Sequence, residues 1–326
     1  MDLSLLLSSG SGFRKKFSAT LIIFAIAIVA YTFTGLVSQE QDLLILIKSI
    51  YLTILACGLL IIPILGIKMI RWRLITAEIG LEIPIRKDIK CWLSSQAFLG
   101  TPGGSGLAIR SLLLKRKHNL AISSTLPAVI FERLSDLSSI LILVLLINIT
   151  FFLKKIFIVP TIFSILLTFI FTKITRKESK LINNLLYKLL SRLNPGKEAS
   201  NTSLLTGLKK LMSPKLIIMA TLVGILPWMI EGFGLYLILN SIGNFQIDWS
   251  TATFAHASSV LLGALSLLPG GLGTAEATTV GLLSLSGVPI NIATPSTILI
   301  RLLTLWLATI IGIISLLIPN KTNKSS

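Results

Sequence analysis

Charge is what this sequence lacks most. Only 13% of its 326 residues are Asp, Glu, Lys or Arg, against about a quarter in an ordinary soluble chain. Cysteine is limited to Cys57 and Cys91, and histidine to His118 and His256. So few exclude a disulfide framework and any Cys/His metal spacing. The two histidines stand 138 positions apart, and neither has a nucleophile motif beside it, so a Ser-His-Asp arrangement has no support. Glu132 and Asp136 share a helix face, but Arg133 between them argues against a metal. No catalytic residue, metal or cofactor is expected. No basic stripe interleaved with aromatics is present, so the net charge of +17 does not indicate a nucleic-acid partner. No small-residue cleavage site follows the first apolar run. Arg14, Lys15 and Lys16 therefore precede an uncleaved span, not a signal peptide.

What is abundant is apolar length. Hydrophobic residues make up 53% of the chain and the mean hydropathy is +0.87. A helix needs about 20 mostly apolar residues to cross ~30 Å of hydrocarbon. The sequence predicts an all-α, polytopic membrane protein with full spans at about 17–37, 43–67, 127–150, 156–172, 216–240, 250–268 and 295–318. The segments 91–109 and 274–288 are too short or too glycine-rich for ordinary spans and read as re-entrant or broken helices. Basic residues concentrate in 68–92 (Lys68, Arg71, Arg73, Arg86, Lys87, Lys90), in 110–118 (Arg110, Lys115, Arg116, Lys117) and in 173–215. With residues 1–16 cytoplasmic, all three stretches face inward. Within 173–215, Leu181, Ile182, Leu185, Leu186, Leu189, Leu190 and Leu193 recur at helical spacing. They describe either an interfacial helix drawn to anionic lipid or a linker helix packed on the cytoplasmic face.

The most informative pattern is a repeat. Thr101-Pro102-Gly103-Gly104-Ser105-Gly106 recurs 167 residues later as Leu268-Pro269-Gly270-Gly271-Leu272-Gly273, and Pro127 to Leu134 recurs 168 residues later as Pro295 to Leu302. Each proline stands at a plausible first helical position. The basic loops orient the Arg133 helix from inside to outside. The Arg301 helix runs the opposite way if the tail, 319–326, is cytoplasmic. An inverted-topology repeat follows, with halves of about 43–150 and 216–318 inside one transmembrane domain, 17–318. Many secondary transporters are built this way, with the substrate site where discontinuous helices meet. The alternative is that Pro-Gly-Gly merely marks two tight turns.

Ionisable groups inside a bilayer cost ~2.5–3.5 kcal/mol each and face a cavity or a partner. The candidates are Glu132, Arg133, Asp136, Glu231, His256, Glu276 and Arg301. Arg133 and Asp136, three apart, can pair. Arg133 and Arg301 each stand six residues beyond a proline and suit bidentate phosphate binding from opposite leaflets; the alternative is that each snorkels or neutralises a carboxylate. The glycine-rich breaks (Pro102, Gly103, Gly104, Gly106; Pro269, Gly270, Gly271, Gly273) expose backbone N–H groups that favour an anion. Glu276 is expected to pair with an arginine, the alternative being a part in proton coupling; Glu231 has no obvious sequence partner; His256 reads as hydrogen-bonded, the alternative being a proton relay; and His118 reads as solvated.

At these residues the sequence resembles the transmembrane family of lysylphosphatidylglycerol synthases, also called flippase-like domain proteins. The resemblance rests on Arg71-Trp72-Arg73, Thr101-Pro-Gly-Gly with Arg110, Glu132-Arg133-Leu134-Ser135-Asp136, and Leu268-Pro-Gly-Gly-Leu-Gly-Thr-Ala-Glu276 followed by Arg301. It implies an inner-membrane protein that moves an anionic phospholipid or lipid-linked precursor between leaflets. Arg110, Arg133, Arg301, Glu132, Asp136, Glu276 and the glycines and prolines of the two breaks would then be substrate-binding, and membrane lipids the partner. The chain departs from the family at its first break, where many members carry Gly-Glu before the Arg. It ends at Ser326 without the soluble lysyltransferase domain, so it is not expected to make aminoacyl lipid alone. A non-transporting partner of a separate lipid-modifying enzyme or glycosyltransferase, and an integral lipid-phosphate enzyme, are the other readings.

Overall fold

The structure, a computed structural model, describes residues 43–151, 198–243 and 247–318. The chain divides into two compact units, Met1–Ile50 and Tyr51–Ser326; of the first, residues 43–50 are described, as the start of helix α1. Among the described residues every regular element is helical: α1 Leu43–Leu59, α2 Ile61–Glu78, α3 Ile85–Gln96, α4 Ile109–His118, α5 Ile122–Phe151, α6 Glu198–Leu211, α7 Pro214–Gly243, α8 Trp249–Leu265, α9 Thr274–Leu285, α10 Ile290–Arg301 and α11 Leu307–Leu317. A π-helical turn, Leu302–Trp306, joins α10 to α11.

Among the described residues three helices are long and apolar enough to cross a membrane: Ile50–Glu78, Pro214–Ile242 and Ile290–Leu317. Helix α5 has 30 residues, about 45 Å, with its charges in the first half. Helix α8 has 17, about 26 Å. The outward faces carry Leu52, Leu55 and Leu59 on α1, Ile218, Leu222 and Leu226 on α7, and Ile310, Ile314 and Leu317 on α11, all exposed. Stripes of this kind suit contact with lipid tails and would be anomalous against water. The segments 17–37, 156–172 and the leucine stripe 181–193 lie outside the described residues.

Two expectations are corrected. The helix expected to end near residue 67 runs on to Glu78. Lys68 and Arg71 are thus helical, and they find carboxylates inside the protein instead of marking a loop. Pro127 and Pro295 are not at first helical positions; each is the sixth residue of its helix. One further turn forms ahead of each, begun by the bonds Thr125 N–H to Ala121 O and Ala293 N–H to Pro289 O. At the sixth position each proline removes one i→i−4 hydrogen bond, to the carbonyls of Ser123 and Asn291.

Helix α7 is the hub, packing against α2, α5, α8 and α10. Its glycines make this possible, as close helix approach in lipid requires. A Cβ on Gly232 would lie 2.5 Å from Thr253 Cα on α8, and one on Gly224 would meet Ser139 on α5 and Arg71 on α2. At the other end α11 crosses α3, where a Cβ on Gly312 would lie 2.2 Å from the Ala97 backbone N. Apolar clusters flank the interior. One holds Trp72, Trp92, Leu114 and Phe131. A second holds Ile140, Val144, Trp228 and Phe254.

Candidate functional site: an ion-pair network around a cavity

Helix α5 supplies the centre. Helical spacing puts Glu132 and Asp136 on one face with Arg133 beside them. Arg133 Nη2 lies 2.8 Å from Asp136 Oδ2 and 3.4 Å from Glu132 Oε2. From α2, Arg71 donates to the other Asp136 oxygen. From α4, Arg110 Nη1 reaches Glu132 Oε2 at 2.6 Å, and both side chains are fully buried, at 0% and 1% exposure. The Arg110 guanidinium sits between indoles, 4.2 Å from the Trp72 ring centre and 5.5 Å from that of Trp92, and its Nε donates to Ser95 Oγ at 3.1 Å. The arginine that follows the first break is thus paired with a carboxylate on the next helix, Glu132.

A second cluster joins α2, α7 and α8. Lys68 Nζ lies 3.0 Å from Glu231 Oε1 and His256 Nε2 lies 3.0 Å from Glu231 Oε2. Lys68 also stands 4.8 Å from the centre of the Trp228 ring. Lys68 and Arg71, three apart on α2, face the same way and so tie the two clusters together. Glu231, which has no visible partner in the sequence, thus has two in space.

The third pair belongs to the second break. Arg301 Nε donates to Glu276 Oε1 at 3.0 Å, and Nη2 donates to the Gly270 carbonyl. The two breaks pack on each other, and a Cβ on Gly270 would lie 3.9 Å from Gly100 Cα. Gly270, Gly271 and Gly273 have φ of +62°, +67° and +81°, which a side chain would strain. The two breaks carry ion pairs of reversed sign. In the first, a cation after the break (Arg110) meets a carboxylate on the proline-bearing helix (Glu132). In the second, a carboxylate after the break (Glu276) meets a cation on the proline-bearing helix (Arg301).

A cavity of about 380 Å³ lies among these groups, lined by Lys68, Glu132, Arg133, Asp136, Glu231, His256 and Arg301, by Thr101, Gly104, Gly270 and Gly271 of the breaks, and by apolar side chains. Arg71, Arg110 and Glu276 back the wall through their partners. Five cations against four carboxylates leave one net positive charge when His256 is neutral.

Four of the break amides are taken within the turns themselves. Gly104 N–H donates to Thr101 O, Gly106 N–H to Thr101 Oγ1, Gly271 N–H to Leu268 O and Leu272 N–H to Pro269 O. The second break offers the site a carbonyl, taken by Arg301. Pro102, Gly103 and Gly106 belong to a 3₁₀ turn, Pro102–Ala108, while Pro269 opens another and Gly273 caps α9.

Sequence patterns alone do not mark Lys68, Arg71, Trp72, Trp92 and Trp228 as site residues. The i,i+3 pair Lys68 and Arg71, followed past residue 67 at helical period, is the signal that finds the first two. His118 ends α4, away from the cavity. Burial, with the charges of Lys87 and Lys117, holds its imidazole below the ordinary value. Among the described residues no group of three His, Cys, Asp or Glu could hold a metal ion.

Gly224 tests how tightly the network is set. A Cβ there would sit 2.3 Å from Ser139 Oγ and 2.5 Å from Arg71 Nη1. Gly224→Ala is expected to push Arg71 off Asp136 and cost about 1–3 kcal/mol, read as a lower unfolding midpoint in mixed micelles. A wild-type midpoint would show that Arg71 has room to move.

Compared with known proteins, the chain matches the family described as lysylphosphatidylglycerol synthase TM region over residues 17–312. It is 24% identical over 293 residues to a UPF0104 membrane protein of Methanothermobacter thermautotrophicus, covering 82% of this chain and 85% of that protein. It is 28% identical over 223 residues to a UPF0104 membrane protein of Methanocaldococcus jannaschii, covering 65% of this chain and 89% of that one.

Proposed function

The chain belongs to the lysylphosphatidylglycerol synthase TM-region family, and from that premise we propose that it moves an anionic phospholipid or lipid-linked precursor between the leaflets of the inner membrane. The observation that carries this reading is Arg133. Its side chain, 33% exposed, is the most open of the five network cations, and it lines the cavity with Lys68 and Arg301. A guanidinium takes a phosphate through two parallel hydrogen bonds. The single surplus positive charge offsets a monoanionic headgroup, so the charge is not left bare at low dielectric. A volume near 380 Å³ is at the lower end for a small-molecule pocket. It holds a headgroup while the acyl tails stay in lipid.

In this reading the halves 43–150 and 216–318 insert in opposite senses, both chain ends are cytoplasmic, and seven spans flank two broken helices. Labelling that put residues 319–326 on the far side from Arg14-Lys15-Lys16 would end the antiparallel arrangement.

The test is transport. Purified protein in vesicles should move fluorescent phosphatidylglycerol between leaflets, and Arg133→Ala should slow it at least about 10-fold, the loss of one charge-assisted bond. Arg133→Lys, without the planar fork, should restore only part of the rate. Vesicles in which wild type moves no anionic lipid, or in which Arg133→Ala keeps the full rate, would refute the proposal. A non-transporting partner of a lipid-modifying enzyme predicts that Arg133→Ala and Arg301→Ala are silent and that deleting 173–215 is not. An integral lipid-phosphate enzyme predicts turnover by the purified protein alone.

A further inference from the structure

We propose that Lys68, Trp228, Glu231 and His256 form a second subsite in the cavity that selects headgroups carrying hydroxyl groups, a polyol or sugar, and rejects those carrying an ammonium. The inference rests on the translocator reading and adds what the phosphate is attached to.

The four side chains come from α2, α7 and α8 and all line the cavity. Trp228 is 8% exposed, and its indole N–H is buried without a hydrogen-bond acceptor among the described residues. A buried unpaired donor is costly unless something else supplies an acceptor. The face of the same ring carries Lys68 Nζ at 4.8 Å, and that amine, whose side chain is 20% exposed, has donors left after its bond to Glu231. The subsite thus offers ammonium protons to an acceptor, beside a carboxylate and an imidazole, in a wall that holds the unpaired indole N–H.

Its charge decides the class. Both Glu231 oxygens already have a basic neighbour at 3.0 Å, so a substrate ammonium meets Lys68 and no bare carboxylate. A second anion meets Glu231. A hydroxyl suits both sides, because it accepts from Trp228 or Lys68 and donates to a remaining lone pair of Glu231. Lys68 on α2 sits one turn from Arg71, whose partner Asp136 also holds Arg133. The hydroxyl subsite therefore adjoins the phosphate-binding arginine.

The measurement is calorimetric binding of dihexanoyl lipids to the purified full chain in detergent. Phosphatidylglycerol and phosphatidylmethanol carry the same single charge and differ in the hydroxyls; phosphatidylethanolamine brings the ammonium. Phosphatidylglycerol should bind about 10-fold tighter than phosphatidylmethanol, the worth of one buried hydrogen bond, and tighter still than phosphatidylethanolamine. Trp228→Phe keeps the ring and removes the donor, and should narrow the first ratio to about 2-fold. Glu231→Gln should narrow it too. Equal affinity of wild type for phosphatidylglycerol and phosphatidylmethanol, tighter binding of phosphatidylethanolamine, or a ratio untouched by Trp228→Phe would overturn the subsite and leave the translocator standing. Binding of none of the three lipids would overturn both.

Discussion

Glu132→Ala is expected to remove about 3–5 kcal/mol of stability, the effect of taking one partner from a buried ion pair. Glu132 Oε2 lies 2.6 Å from Arg110 Nη1, in a pair screened by almost no water, with side-chain exposures of 0% and 1%. Without it Arg110 keeps Ser95 and two indole faces, none of which carries a negative charge. One Arg110 nitrogen, Nη2, already has no acceptor among the described residues. Arg133 loses one of its two carboxylates as well. Glu132→Gln should cost nearly as much, because shape is kept and charge is not. The control is the pair Glu132→Gln with Arg110→Met, which removes both charges and should recover most of the loss. Equilibrium unfolding in mixed micelles reads all three. A double variant no better than Glu132→Gln would mean that the polar contacts, and not the stranded charge, set the cost.

Arg301→Ala is expected to be comparably severe, at about 3–4 kcal/mol. It strands Glu276, whose second oxygen already has no partner among the described residues, and it releases the Gly270 carbonyl. Two elements then lose their common anchor: the break, with three glycines at positive φ, and the start of α9. Arg301→Lys keeps the charge but cannot donate from a rigid fork to two acceptors on different elements, so it should recover about half of the loss. Exchanging the pair, Arg301→Glu with Glu276→Arg, places the polarity found in the first half into the second. It should be more stable than either single reversal. If Arg301→Ala unfolds at the wild-type midpoint, the break does not depend on the arginine.

Much of this site is legible in the sequence. Arg133 and Asp136 pair as their spacing predicts, Glu276 takes an arginine, and both Pro-Gly-Gly segments interrupt their helices. These are local or short-range facts: three residues on a helix subtend nearly one turn, and glycine after proline favours a turn wherever it sits. Local rules fail where a distant partner overrides them. Lys68 and Arg71 look like the basic edge of a span. They are interior because Glu231 and Asp136, 163 and 65 positions away, neutralise them. The N–H groups of Gly104, Gly106, Gly271 and Leu272 look open to an anion until the turns close on themselves.

The sequence by itself determined that the described residues are helical and suited to lipid, that both Pro-Gly-Gly segments interrupt helices, and which charges are too costly to lie idle. Hydrocarbon thickness and helical rise fix these along one dimension, residue by residue. Only the tertiary structure decided which charge meets which, that the two breaks touch, and that Trp228 carries an unpaired N–H beside Lys68 in the cavity wall. Those outcomes depend on how each helix is rotated and how closely α7 lets its neighbours approach through Gly224 and Gly232, and no spacing along a single helix encodes the rotation of another.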